Sequence, residues 1–319
     1  MSIRTREIIG SIYDKTDNFF SKNSNPALSK LYLETLHLQK VSFKRQFSFV
    51  SFNDLMQWTN DWVKTFPQTY DIVVGIPRSG LLVANIVALK LGLPLTTPDN
   101  FKNNHFWASK LIEKRAIYEN VLLIDDSVES GNSMDKAYHF LKSFTNHVNI
   151  TKGALITTKT SVHLVDLHYK IVPQPRIFEW NLIHSKKGRT CSDLDGVICE
   201  NCPSGVDAEE EQYLKWLSQA KPYLIPDFEL DAIISCRLEK YRSQTELWLA
   251  ENGVRYKRLI LWDIASKANR KGKNAQHKIR WLLQLKPVLF IESSLWEAEQ
   301  IYAATKIPTL CTDKMLMYS

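Results

Sequence analysis

The sequence predicts an α/β protein of two domains, residues 1–186 and 187–319, each a mainly parallel sheet flanked by helices. Three stretches carry that expectation. Residues 121–133 read VLLIDDSVESGNS, residues 70–80 read YDIVVGIPRSG, and residues 190–200 read TCSDLDGVICE. In the first two an unbroken apolar run meets polar residues and a glycine, as where a buried strand opens into a loop before a helix. In the third, two acids and a glycine follow the extended end of a strand.

At 319 residues the chain suits two domains better than one. Hydrophobic residues at 44% and charged residues at 24% describe an ordinary globular protein. No apolar run approaches the ~20 residues needed to span a bilayer, and the first residues lack a signal-peptide pattern, so membrane is excluded as a partner and a cytoplasmic location is expected. The five cysteines all lie in the second half, and their odd number argues against a disulfide framework. The net charge of +7 suits nucleic acid or anionic small molecules. No helix-turn-helix or other nucleic-acid motif accompanies it, which favours the small molecule. A homodimer stays open.

Taken in order, residues 28–38 are patterned as a helix without attached chemistry. Residues 47–52, FSFVSF, read as a strand. Asn53 then caps an amphipathic helix with Leu55, Trp58, Trp62 and Val63 inward, ending before Pro67. After the strand in residues 70–80, Leu82, Ile86 and Leu89 mark the apolar face of the next helix. Gly75 and Gly80 permit tight backbone, and Ile76, Pro77, Arg78 and Ser79 between them form a loop that can grip an anion. Residues 96–119 make a long polar connection, with Lys102, Lys110, Lys114 and Arg115 as candidate phosphate contacts.

In residues 121–133 the strand ends in Asp125 and Asp126, and Glu129, Ser130, Gly131, Asn132 and Ser133 lead into a helix marked by Met134, Ala137, Leu141 and Phe144. Such a loop aims backbone N–H groups and a helix N-terminus at a phosphate. The two acids suit sugar hydroxyls or magnesium. A strand follows at residues 151–158. Phe178 and Trp180 are then candidates to stack a flat acceptor or to pack against the second domain.

Asp193 and Asp195 stand two apart, so both carboxylates point the same way in an extended strand end, and Gly196 lets the chain turn. Residues 231–235, DAIIS, are a buried strand ending in Ser235. Lys278 lies in the helical stretch AQHKIRWLLQL, and residues 288–293, VLFIES, are a strand ending in Glu292. The stretch from Gly196 to Leu230 holds one helix, residues 209–218.

These motifs resemble two families. Residues 121–133 resemble the PRPP-binding signature of type I phosphoribosyltransferases, and residues 70–80 resemble the pyrophosphate loop that precedes it. The resemblance implies that fold, with PRPP and an unidentified small-molecule acceptor as substrates. Asp125, Asp126 and Glu129 to Ser133 would hold PRPP, Glu129 would accept a proton, and Ile76 to Ser79 would hold pyrophosphate. Residues 190–200 resemble motif I of haloacid dehalogenase (HAD)-like phosphatases, with a Rossmannoid fold and a minimal cap. That likeness implies Asp193 as nucleophile, Asp195 as acid and base, Ser235 and Lys278 as phosphate contacts, and Asp193, Asp195 and Glu292 as ligands of Mg2+. Glu292-Ser293 departs from the family's usual acidic pair. Together the resemblances imply a bifunctional enzyme that attaches phosphoribose and then removes a phosphate. The alternatives are a PRPP-sensing regulatory or nucleic-acid-binding protein, and a phosphatase whose first domain is not catalytic.

Overall fold

The computed structural model describes residues 47–67, 69–109, 118–145, 147–184, 188–206, 210–264 and 272–319. The helix expected at residues 28–38 and the candidates Lys110, Lys114 and Arg115 lie outside them. Residues 47–319 form one compact unit. Among the described residues no helix is long and apolar enough to cross a membrane.

Strand β1 (Ser48–Val50) leads into helix α1 (Phe52–Val63). The cap is Ser51 and not the expected Asn53. The Ser51 hydroxyl accepts from the Asp54 backbone N–H, and the Asp54 carboxylate accepts from that of Ser51, a reciprocal bond that Asn53 cannot make from inside the helix. Strand β2 (Ile72–Gly75) is followed by α2 (Gly80–Leu91), β3 (Leu95–Thr96), α3 (Pro98–Lys102), β4 (Asn120–Ser127), α4 (Asn132–Lys142), β5 (Asn149–Thr157), β6 (Leu167–Ile171) and β7 (Arg176–Phe178). On α2 the expected inward face is displaced: Leu82 and Leu89 are exposed, whereas Val83, Ala84, Val87 and Ala88 are buried. This helix is apolar on nearly every side, so periodicity does not choose a face. The small residues win because they let the helix approach the sheet closely.

The first sheet has the order β3-β2-β4-β5-β6 with every pair parallel. Its two faces are covered by separate clusters. One gathers Leu55, Trp62, Val83, Val87, Leu122 and Ile124; the other gathers Ile72, Val74, Leu123, Met134 and Leu141. Burial on both faces is why the central strands β2 and β4 carry unbroken apolar runs.

The chain then forms β8 (Thr190–Ser192), α5 (Glu210–Gln219), β9 (Ala232–Leu238), α6 (Arg242–Glu251), β10 (Leu259–Trp262), α7 (Asn274–Leu285), β11 (Leu289–Glu292), α8 (Leu295–Thr305), β12 (Thr309–Cys311) and β13 (Leu316–Tyr318). The second sheet has the order β10-β9-β8-β11-β12-β13, parallel except for the last pair. The chain steps outward from β8 to one side and later from β11 to the other. A crevice therefore opens at the carboxyl ends of these two neighbours. In the first sheet β2 stands between β3 and β4 in the same way.

A parallel ribbon of β1 and β7 lies between the two sheets' cores, pairing Phe49 with Ile177 and Val50 with Phe178. Side chains alternate along it. Val50 and Phe178 enter the core of the first sheet, and Phe47, Ile177 and Leu182 enter that of the second. Ile177 is fully buried. Its replacement by alanine should cost about 2–4 kcal/mol through lost burial and an unfilled cavity. Thermal unfolding followed by circular dichroism should show a lowered midpoint, and an unchanged midpoint would mean that the ribbon is not a shared element of the core.

Candidate active sites

The first site forms where β4 gives way to α4. Asp125 and Asp126 end the apolar run and are both buried. Asp125 Oδ1 accepts the Asp126 backbone N–H at 2.9 Å, and Asp126 Oδ2 accepts the indole N–H of Trp180 at 2.8 Å. Burial and then the Asp126 charge push the Asp125 carboxyl up to about 8. Gly131 precedes α4 with φ of +82°, and a Cβ there would stand 2.9 Å from Leu164. Glycine alone gives this turn without strain or collision.

Asp125, Glu129, Ser130, Gly131, Asn132 and Ser133 line a cavity of about 180 Å³ at the start of α4. Asp126 does not line it and faces Trp180 instead. The loop of Ile76, Pro77, Arg78 and Ser79 runs from β2 to α2, with Pro77 and Arg78 exposed. It lies beside the acids: a Cβ on Gly80 would stand 2.9 Å from Asp125 Oδ1 and 3.0 Å from Asp125 Cα. The start of α2, directly after that loop, therefore packs against Asp125 at the end of β4, while none of Ile76, Pro77, Arg78 and Ser79 lines the cavity. Lys102 is exposed, with its ammonium 5.7 Å from the centre of the Phe140 ring. Phe178 and Trp180 stack on each other, with ring centres 4.8 Å apart.

The second site forms at the carboxyl ends of β8 and β11. Lys278 on α7 is buried and donates to Asp193 Oδ2 at 2.6 Å, Glu292 Oε2 at 2.7 Å and Glu297 Oε2 at 2.9 Å. Burial opposes its charge, but Asp193, Glu292 and Glu297 hold its pKa well above the ordinary lysine value. Burial pushes the Asp193 carboxyl up; Lys278 works against that and Glu292 with it. Asp193 Oδ1 accepts the Leu194 N–H at 2.7 Å, and Glu292 Oε1 accepts those of Ser293 and Ser294. Asp195 instead faces Arg237, whose guanidinium reaches both carboxylate oxygens at 2.7 to 3.2 Å. Gly196 has φ of +82°, and a Cβ there would fall 2.4 Å from the Ser293 hydroxyl.

A polar cavity of about 310 Å³ opens here, lined by Asp193, Asp195, Lys278, Glu292 and Glu297 with residues 201–205, Tyr213 and Cys236. Ser235 does not reach it. Its hydroxyl is buried and accepts the Arg237 N–H at 3.2 Å, so β9 turns Cys236 toward the cavity. Among the described residues no group of three or more His, Cys, Asp and Glu is arranged to share a metal ion. Asp193 and Glu292 share Lys278, and Asp195 is turned to Arg237. The donor set still suits a hard cation: Asp193, Asp195, Glu292 and Glu297 outnumber Lys278 and Arg237.

Neither Arg237 nor Glu297 belongs to a motif visible in the sequence. Arg237 lies two residues beyond Ser235, so on a strand it shares that residue's face. Glu297 stands in the first turn of α8, five residues beyond Glu292.

Residues 48–186 match the model of the phosphoribosyl transferase domain, and the match ends there. Among solved structures, the chain is similar to the xanthine-guanine-hypoxanthine phosphoribosyltransferase of Helicobacter pylori, at 15% identity and a TM-score of 0.36, over 43% of this chain and 94% of that one. It is similar to a purine phosphoribosyltransferase from Pyrococcus horikoshii at 16% identity and a TM-score of 0.33, over 42% and 93%. A longer alignment, over 87% of this chain and 91% of the other, joins it to a Pnkp1/Rnl/Hen1 complex at 14% identity and a TM-score of 0.28. No curated protein matches.

The raised Asp125 carboxyl has a consequence for stability. The folded chain holds this proton more tightly than the unfolded chain, whose carboxyl titrates near 3.8. The stabilising contribution is complete below that value and is lost as pH rises through about 8. An Asp125→Asn variant escapes the loss. Its unfolding midpoint relative to wild type should climb from about pH 4 to pH 8 and then level off; a constant difference would refute the raised carboxyl.

Proposed function

We propose that this chain transfers 5-phosphoribosyl from PRPP to an acceptor and then removes a phosphate from the product. The observation that carries the first step is the packing of Gly80, directly after residues 76–79, against Asp125, which itself lines the cavity at the start of α4. In this reading Ser130 to Ser133 receive the 5-phosphate on backbone N–H groups and the positive end of α4. Asp125 and Asp126 stand by the ribose hydroxyls, and Ile76 to Ser79 hold the departing pyrophosphate. The bond from C1 of the ribose to pyrophosphate breaks, a bond from C1 to the acceptor forms, and Glu129 takes the acceptor's proton. The protein's contribution is orientation and charge balance.

The order of the second sheet and the carboxylates at the ends of β8 and β11 support a HAD-like phosphatase site. There an Asp193 oxygen attacks phosphorus as the ester bond breaks, and the leaving oxygen takes a proton from Asp195, which for this step must be released from Arg237 and protonated. Asp195 then accepts a proton from the water that hydrolyses the aspartyl-phosphate. Lys278 offsets the charge that collects on Asp193 and on the phosphate. The cavity's excess of carboxylates would repel a phosphate arriving alone. Asp193, Asp195 and Glu292 would hold Mg2+, whose chemistry is to neutralise phosphate oxygens.

An Asp193→Asn variant supplied with PRPP, magnesium and a metabolite extract should accumulate a phosphoribosylated species visible by mass spectrometry. Both chains should release pyrophosphate, and the wild-type chain should leave a product lighter by one phosphate. A wild-type product that keeps its 5-phosphate would sink the coupling. If Asp126→Ala still released pyrophosphate at the wild-type rate, the transfer step would be wrongly placed.

A further inference from the structure

We propose that Trp180 is a positioning residue for phosphoribosyl transfer, holding the carboxylate of Asp126 in place by its indole N–H; this rests on the transfer reading above. Asp126 is buried at the end of β4 and lies off the cavity that its neighbours line. A buried carboxylate needs donors, and one oxygen of Asp126 finds Trp180 Nε1 at 2.8 Å. The indole N–H is a donor only, so it supports the carboxylate oxygen as an acceptor and cannot exchange roles.

The indole is itself fixed. It stacks on Phe178 with an interplanar angle of 1°, and Phe52 leans against it with ring centres 5.9 Å apart. Phe178 is held by β7, and the Phe52 N–H donates to Glu179 Oε2 at 2.7 Å. Six residues before Trp180, Gln174 donates to Glu129 Oε2 at 2.7 Å and accepts the Arg176 N–H at 3.0 Å. One short segment therefore grips Asp126 near the start of the acidic loop and Glu129 within it. One ring face of Trp180 is taken by Phe178, and its N–H is spent on Asp126.

The test is calorimetric binding of PRPP with magnesium to the full chain in a double-mutant cycle. Trp180→Phe keeps an aromatic ring to stack on Phe178 and removes only the donor. It should weaken PRPP binding about tenfold in the wild-type background, the size of a lost hydrogen bond to a charged group. In an Asp126→Ala background, which leaves the indole no acceptor, and with PRPP raised to saturate, the same change should cost less than about twofold. As a second readout, the Trp180 indole 15N–1H resonance, assigned by its loss in W180F, should move when PRPP is added. Unchanged affinity in W180F, equal losses in both backgrounds, or an unmoved resonance would each overturn the inference. A wild-type chain that takes up no PRPP would remove the transfer reading and this inference together, so the two failures are distinguishable.

Discussion

Carboxylates stranded at the ends of buried strands are the constraint on which both sites depend. A charge in such a place loses several kcal/mol of hydration unless something nearby compensates it. The two halves of the chain solve this differently. At the first site Asp125 keeps its proton up to about pH 8 and Asp126 leans on an indole N–H. At the second site Lys278 stands among Asp193, Glu292 and Glu297, and Arg237 takes Asp195. The first arrangement suits a ligand that brings its own anions and metal. The second is a preassembled network of opposite charges, which a ligand would enter only by displacing contacts already made.

Arg237 shows how far that network reaches below the surface. It is almost wholly buried, and its guanidinium lies 5.2 Å from the centre of the Trp216 ring on α5. Tyr213, one turn earlier on the same helix, packs against Trp216 and lines the cavity. Asp195 thus holds the charge that lets an arginine be buried beneath α5, and α5 in turn closes one side of the cavity. This helix supplies a wall at modest size, consistent with the short stretch between β8 and β9.

Much of this was legible in the sequence because burial on both faces leaves a plain trace. β2 and β4 are unbroken apolar runs, and the acids, glycines and loops at their ends stand where the residues implied. What escaped depended on registers and contacts that one sequence does not encode locally. The period of two along β9 does not say whether Ser235 or Cys236 faces the crevice until its neighbours are placed. On α2 the apolar residues encircle the helix, so Leu82 and Leu89 looked as fit for the core as Val83 and Val87. The bond from Trp180 to Asp126 spans 54 residues, and that from Arg237 to Asp195 spans 42. Neither leaves a mark in local spacing.

The ribbon of β1 and β7 has a consequence for how such a chain can be divided. Its two strands show one set of side chains to each core, so it is a party wall and not a hinge. A fragment ending near residue 186 would retain that wall with the outer face of Ile177 and Leu182 bared, and an exposed apolar face of this kind invites self-association. A fragment beginning near residue 187 would lack Phe47 and Ile177 from its core. Two chemistries can be joined by a tether and later separated. Here the joint is made of the hydrophobic interior itself, and neither half has a core complete without it.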